Sequence, residues 1–496
     1  MPLDGSRTLL TWVILSALLA MLTAVSCSPP VAPGSTEDDI TLYKRELRVL
    51  PDDTDARYQL GVSYYKLRDY GKSVEELEEV VRKNPNLPYA YNNLGLAYVG
   101  EGRLGKAVTA YLKALQLERS FLPARLNLGV AYYLGSNFSD AGRQFRKVLK
   151  SYPDNIPARQ GLGLSFLKRG NRDEAIAEFN KVLGLDPKNA DAYKYLGTTY
   201  EEMGDTTRAT ADFRESLRLN PHDAETHWYL ANIYFDQDYL EGALREYTYV
   251  VDIKPDFKEA RFRRALTLKE LGGIREATVA FDELLELDAN YPDAHYQLGT
   301  IYQERAERAE KAFERLKGTD RTRLGPEEMM EQAITEYNKE LENNPDNIKV
   351  HKALGDLYLA RKDNEAGLYH YARIVKIDPD DAQAVHELGG AYAKAGMFSL
   401  ALVQWRRAAD LDPDLAIEVW KQVLGFRPSM AEAHYRLGMA YLREGKLAAA
   451  VSSLNLAVQS KPNNVAFKQA LSRARKKQKK AIAEEGRERV DEEWWN

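Results

Sequence analysis

Between Ala190 and Pro221 the apolar positions fall into two runs of helical spacing separated by a break. Tyr193, Leu196, Gly197 and Tyr200 lie at i, i+3, i+4 and i+7, which puts them on one face of a helix. Gly204-Asp205 interrupts that run. Ala209, Phe213 and Ser216 carry a second helix, and Asn220-Pro221 stops it, because proline has no amide hydrogen to continue the ladder. Gly197 and Ala209 are small, so the two helices are expected to approach closely there, with aromatic rings filling the space towards the next pair. A single hairpin of this kind cannot bury both faces. Neighbours must stack, and the product is a solenoid.

The pattern recurs at a shift of 34 residues: Leu196-Gly197 answers to Leu162-Gly163 and Leu230-Ala231, Tyr200 to Phe166 and Tyr234. Ala209 answers to Ala175 and Ala243, Phe213 to Phe179 and Tyr247, and Pro221 to Pro187 and Pro255. A period of this length carrying Leu-Gly, an aromatic, Ala, a second aromatic and Pro resembles the tetratricopeptide repeat. The resemblance implies an all-α fold, a right-handed superhelical solenoid of about eleven helix-turn-helix repeats plus orphan and capping helices. Full repeats are expected to begin near Thr54, Pro88, Leu122, Ile156, Ala190, Ala224, Lys258, Pro292, Ile348, Ala382 and Ala431. The closing proline is missing at Arg119 and Ala289, which should loosen those two turns.

The array is expected over 36–467. Thr36–Pro51 has the pattern of a second helix without its first and caps the start. An insertion at 303–330 lengthens one hairpin: Gln303–Leu316 continues a first helix, and Pro326 sits where a helix starts. A tolerated decoration and a docking feature both remain open for it. Residues 414–428 read as an orphan helix, with Ala416, Trp420, Val423 and Pro428 at second-helix offsets. A charged helix and tail, 468–496, follows. Its start can cap the last repeat, and its basic run, Arg473 to Lys480, is either a solvated face or a contact for anionic lipid or an acidic partner. The terminal Trp494-Trp495 is expected to pack back onto the last helices.

Charge and termini refine this picture. With 69 Lys and Arg against 74 Asp and Glu, the net charge of −5 gives no basic field for nucleic acid. Arg7 precedes an apolar run, Leu9–Val25, and then Ser26-Cys27-Ser28-Pro29-Pro30, the pattern of a secretory signal over 1–26. Cys27 is the single cysteine, so no disulfide can form within one chain. Ala24-Val25-Ser26-Cys27 resembles the bacterial lipobox, which implies lipidation of Cys27 and a membrane anchor; an uncleaved anchor and soluble export are the competing readings. The Pro/Gly/Ser stretch within 27–35 is a flexible linker. Ser28 after the cysteine suggests outer-membrane sorting with the array facing the periplasm; inner-membrane anchoring and a soluble periplasmic protein remain alternatives.

Catalytic constellations do not survive the repeat register. His227, His295, His351 and His434 all stand three before the Leu of the Leu-Gly pair, where Tyr91 and Tyr193 stand elsewhere, so they read as packing residues on separate hairpins. No HExxH, Cys-based metal spacing or phosphate-cradling loop is present, so no cofactor or metal is expected. The resemblance instead implies a concave groove lined by first helices. Its expected partner-binding residues are Tyr58, Tyr65, Asn92, Asn93, Asn127, Tyr133, Tyr195, Trp228, Tyr229, Asn232, Phe235 and Phe262. Rings would supply area and amides would bond a peptide backbone. Lys194 falls on the same face, but the Lys and Asn spacing of carboxylate-clamp repeats is not assembled. The reading is a non-enzymatic, envelope-tethered scaffold for protein partners in pilus or secretin biogenesis, outer-membrane protein assembly or polysaccharide export. Its alternative is an adaptor that positions a separately encoded glycosyltransferase or peptidoglycan enzyme.

Overall fold

The structure is a computed structural model that describes residues 36–316 and 325–495. All described secondary structure is helical; no strand occurs among the described residues. The signal segment, Cys27 and the linker, the tip of the insertion and the side chains of Trp494 and Trp495 lie outside what is described.

Two compact units divide the chain, Met1–Ala280 and Phe281–Asn496. In the first, α1 (Thr36–Val49) is followed by paired helices: α2 (Thr54–Lys66) with α3 (Tyr70–Lys83), α4 (Pro88–Gly100) with α5 (Leu104–Leu117), and α6 (Leu122–Leu134) with α7 (Phe138–Ser151). The pairs α8 (Ile156–Lys168) with α9 (Arg172–Leu185), α10 (Ala190–Glu202) with α11 (Thr206–Leu219), and α12 (Ala224–Asp236) with α13 (Leu240–Ile253) continue it. α14 (Lys258–Glu270) and α15 (Ile274–Leu287) come next, the boundary between the units falling inside α15. In the second unit follow the long pair α16 (Ala294–Leu316) and α17 (Pro326–Asn343), then α18 (Ile348–Ala360) with α19 (Asn364–Ile377) and α20 (Ala382–Lys394) with α21 (Phe398–Leu411). The chain proceeds through α22 (Ala416–Phe426), α23 (Ala431–Arg443), α24 (Leu447–Ser460) and α25 (Val465–Trp495).

Many of the hairpins share the same local solutions. Asn189 starts α10 by accepting the amide of Ala192 at 3.0 Å, and Asp53 and Asp381 do the same for Ala56 and Ala384. The first helix ends on a left-handed residue, Gly204 with φ 79°, and the next amide returns to the Tyr200 carbonyl at 2.9 Å. The glycine of the Leu-Gly pair seats a large side chain of the second helix, an aromatic at most repeats and a leucine at Gly61 and Gly438: a Cβ on Gly197 would stand 2.6 Å from Phe213, and one on Gly355 2.8 Å from Tyr371. Ring and backbone thus occupy the volume a larger residue would need, as the sequence pattern requires.

One expected start is corrected. The repeat placed at Pro292 begins its helix at Ala294, because Asp293 takes a left-handed φ of 62° and holds the chain in a turn. In the second unit Trp405 and Trp420 are fully buried, and α22 packs between α21 and α23 with no first helix of its own. On α25, Phe467, Leu471 and Ala474 cover the last hairpin, Phe467 stacking on Tyr435 at 4.7 Å. The basic residues of its Arg473–Lys480 run face solvent.

Candidate functional site

The residues expected to line an open groove are for the most part core. Trp228 is 5% exposed, its indole between the rings of Tyr247 and Phe257 at 5.6 and 5.1 Å. Tyr229 stacks on Phe213, and Tyr195 lies against Phe179. Tyr58, Asn92, Asn93, Asn127, Tyr133 and Phe262 are buried as well. The amides that were to bond a peptide bond each other: Asn127 donates to Asn92 at 2.9 Å, Asn92 to Asn93 at 3.2 Å, and Asn93 to the Tyr58 hydroxyl at 2.7 Å. First helices of successive repeats approach closely enough to zip these side chains together, and that corrects the expectation. Only Tyr65, Asn232 and Phe235 are half-exposed, and Asn232 is held by the Tyr247 hydroxyl at 2.7 Å.

Lys194 is likewise closed off. Its ammonium sits 3.1 Å from Asp223, 3.1 Å from Glu225 and 3.3 Å from Asp191. Burial opposes its charge, but Glu225, Asp223 and Asp191 outweigh burial and hold its pKa well above the ordinary value. Burial pushes Glu225 up to about 7, so this cluster is an internal charge centre.

A second arrangement went unseen in the sequence. At several repeats the residue three before the Leu of the pair bonds a carbonyl of the preceding turn. His227 bonds the Pro221 carbonyl through Nε2 at 3.0 Å and Glu246 through Nδ1 at 2.7 Å. His295 does so with the Ala289 carbonyl and Glu336, at 3.0 and 2.6 Å. Arg57 joins the Pro51 carbonyl and Glu76, and Arg125 reaches the Arg119 carbonyl at 2.5 Å. The turns at Arg119 and Ala289, expected to be loose for want of proline, are therefore held by the same bond as the turns at Pro51 and Pro221. Both acceptors of His227 require a proton from it, so its imidazole is favoured as the cation. Burial works against that charge, but the bonds to Glu246 and the Pro221 carbonyl prevail and its pKa is raised.

Beside His227 opens a cleft of about 810 Å³ between α11, α12 and α13. Leu217, Leu230 and Ile253 contribute its apolar lining, with the rings of Tyr234 and Tyr249, while Arg214, Arg218 and Arg245 line it with guanidiniums. A smaller cleft of about 320 Å³ lies three repeats earlier, where Arg125 takes the place of His227 and Lys147 that of Tyr249. These two clefts are concave features that the first unit presents.

A family model described as tetratricopeptide repeat matches residues 40–88, 58–121, 92–156, 196–256, 330–382 and 408–465, which together make up more than half of the chain. The chain belongs to the tetratricopeptide repeat family. A further model of the same repeat matches 163–204. Superkiller protein 3 of Schizosaccharomyces pombe is similar, 26% identical over 239 residues, 39% of this chain and 17% of that protein, so the chain spans under a fifth of that relative's length. A crystal structure of MamA is 26% identical over 33% of this chain and 95% of its own, with a TM-score of 0.31. A tetratricopeptide repeat protein from Parabacteroides merdae ATCC 43184 is 18% identical, covering 52% of this chain and 98% of its own at a TM-score of 0.43.

Tetratricopeptide repeats serve as protein–protein interaction scaffolds, and that coarse function comes to this chain with its family. Among the described residues no group of three or more His, Cys, Asp or Glu is placed to hold a metal ion. No described helix is long and apolar enough to cross a membrane.

Proposed function

We propose that this tetratricopeptide repeat protein is a non-enzymatic scaffold held at a bacterial envelope by lipid on Cys27, where it assists assembly of an envelope machine. The observation that carries the reading is the order of its parts. An apolar run, Leu9–Val25, ends two residues before the chain's single cysteine, a Pro/Ser spacer follows, and the repeat array comes next. An acyl-anchored cysteine with a flexible spacer lets the repeat array reach partners away from the bilayer. Pilus or secretin biogenesis, outer-membrane protein assembly and polysaccharide export all use such scaffolds, and an outer-membrane site facing the periplasm suits Ser28 after the cysteine.

Membrane fractionation of cells expressing wild type and Cys27→Ala tests it. Wild type is expected in the membrane fraction with incorporated labelled palmitate. The variant is expected to lose the label and either to become soluble or to persist as a larger precursor. Unchanged size and unchanged membrane association of the variant would rule the anchor out.

A further inference from the structure

We infer that the cleft between α11, α12 and α13 docks an acidic peptide segment of a partner protein, one that sets a bulky apolar side chain beside Asp or Glu. The inference rests on the scaffold reading for the class of partner and on the cleft for its chemistry. Leu217, Leu230 and Ile253 offer apolar surface, and Tyr249, 48% exposed, is held in place by stacking on His227 at 4.9 Å. A ring so fixed forfeits little freedom when a ligand packs on it.

The charge around that surface is positive and incompletely matched. Arg214 donates to the Tyr234 hydroxyl at 2.9 Å, and no carboxylate lies within ion-pair range of it among the described residues. Arg218 pairs with Glu215 at 2.6 Å, yet its side chain is 64% exposed, and a solvated pair of this kind exchanges partners at little cost. Arg245 leans on Glu246 at 3.2 Å, a carboxylate it shares with His227. Asp252 is the only other carboxylate in the lining. Carboxylates flanking an apolar side chain complement such a surface, whereas a basic amphipathic segment would meet like charge.

The smaller cleft supports the assignment independently. It is lined by Arg119, Arg125 and Lys147 with no carboxylate among its residues. Equivalent places on two repeats of one unit therefore gather cations next to apolar side chains. The volume of the larger cleft falls in the range that accommodates side chains, which favours a peptide over the flat surface of a bilayer.

A random-peptide phage library panned against the full-length chain tests the proposal. Enriched peptides are expected to place Asp or Glu next to Phe, Trp, Leu or Ile. A fluorescent copy of one should bind Arg214→Glu and Tyr249→Ala on the order of tenfold more weakly than wild type. It should bind Arg82→Glu, a charge reversal at an exposed arginine elsewhere in the unit, like wild type. Unchanged circular dichroism in all three variants would separate lost binding from lost fold. Basic or purely apolar peptides, or no enrichment, would overturn the proposal. So would phosphatidylglycerol vesicles that capture wild type but not Arg214→Glu while no peptide binds. Peptides that bind wild type and Arg214→Glu alike would leave the scaffold reading standing and remove this cleft from it, whereas failure of the envelope reading shows only in the Cys27→Ala fractionation.

Discussion

The hairpins α12–α13 and α18–α19 occupy the same repeat register and share a skeleton. In both, a histidine bonds the carbonyl six residues before it at 3.0 Å. In both, a second-helix tyrosine hydroxyl donates across to the first helix, Tyr247 to Asn232 at 2.7 Å and Tyr371 to Asp356 at 2.8 Å. Two of their differences bear on charge and burial. Opposite His227 stands Glu246, while opposite His351 stands His370, the two Nδ1 atoms 2.9 Å apart. Next to the histidine, Trp228 is core, whereas Lys352 is 49% exposed and pairs with Glu387. Register therefore sets which atoms meet; the residue types decide whether a proton is held or refused and whether a face is buried or wet.

The largest contrast should come at the second of those positions. Trp228→Ala removes an indole packed between two rings and should destabilise the first unit by about 3–5 kcal/mol. Lys352→Ala breaks an exposed ion pair and should change the second unit by less than about 1 kcal/mol. Urea unfolding read by hydrogen exchange on peptides from each hairpin would measure both. Equal losses at the two sites would mean that the buried and exposed assignments are reversed or irrelevant.

Loss of the histidine itself should rank next. His227→Leu leaves Glu246, 6% exposed, with only Arg245 beside it and strips the Pro221 carbonyl of its donor, for about 2–4 kcal/mol. His351→Leu removes an imidazole that faces another imidazole rather than a carboxylate and should cost roughly half as much. The same exchange measurement compares them, and a larger loss at His351 would contradict the pairing described.

How much of this was legible in the sequence follows from what periodicity encodes. Spacing within one helix shows which residues share a face, so Leu196, Gly197 and Phe213 announced the hairpin and its close contact. It does not show how near the next first helix comes. Asn92, Asn93 and Asn127 looked like free amides because their partners lie on neighbouring repeats, and Trp228 looked like an anchor for a ligand because its enclosing ring, Phe257, belongs to the turn after the hairpin. The tie at the histidine position did leave a signal. Arg57 with Glu76, Arg159 with Glu178, His227 with Glu246 and His351 with His370 are each 19 residues apart. A search for complementary pairs at that offset would have found it, whereas aligning the histidines alone read them as packing. The clefts left no such trace, since the larger is assembled from three helices and a turn and the smaller from two helices and a turn.

Acidification should separate the two hairpins. His227, with its pKa raised, contributes stability that is complete below the ordinary 6.5 and is lost as pH rises through its folded value. His370 behaves in the opposite sense: burial first, and then the neighbouring His351, lower it to about 4, so its contribution is complete above 6.5 and is lost as pH falls from there towards 4. At pH 5 the α18–α19 hairpin should be weaker by about 1 kcal/mol, after allowance for solvent screening, while α12–α13 is held or strengthened. His370→Glu recreates the His227 arrangement and should abolish the acid weakening. Hydrogen exchange at pH 5 and pH 7, corrected for intrinsic rates, reads each hairpin; parallel responses in wild type would refute the distinction.

The smallest difference lies where each first helix ends. Gly204, Gly170 and Gly396 take the left-handed turn with φ between 77° and 79°, at no steric cost to glycine. The two hairpins compared above place Asp238 and Lys362 there, at φ 59° and 64°. For a residue with a Cβ this conformation crowds the following carbonyl, by about 1 kcal/mol or somewhat more for lysine and less for aspartate, whose short polar side chain tolerates it. Glycine also adds disorder to the unfolded chain, which subtracts several tenths of a kcal/mol from any gain. Lys362→Gly should therefore stabilise the second unit by roughly 0.5–1 kcal/mol, and Asp238→Gly should be close to neutral. Denaturation midpoints at constant m-value would show it. A gain at Asp238 as large as at Lys362 would mean that the turn discriminates against any Cβ, and that the side chain of aspartate gives it no relief.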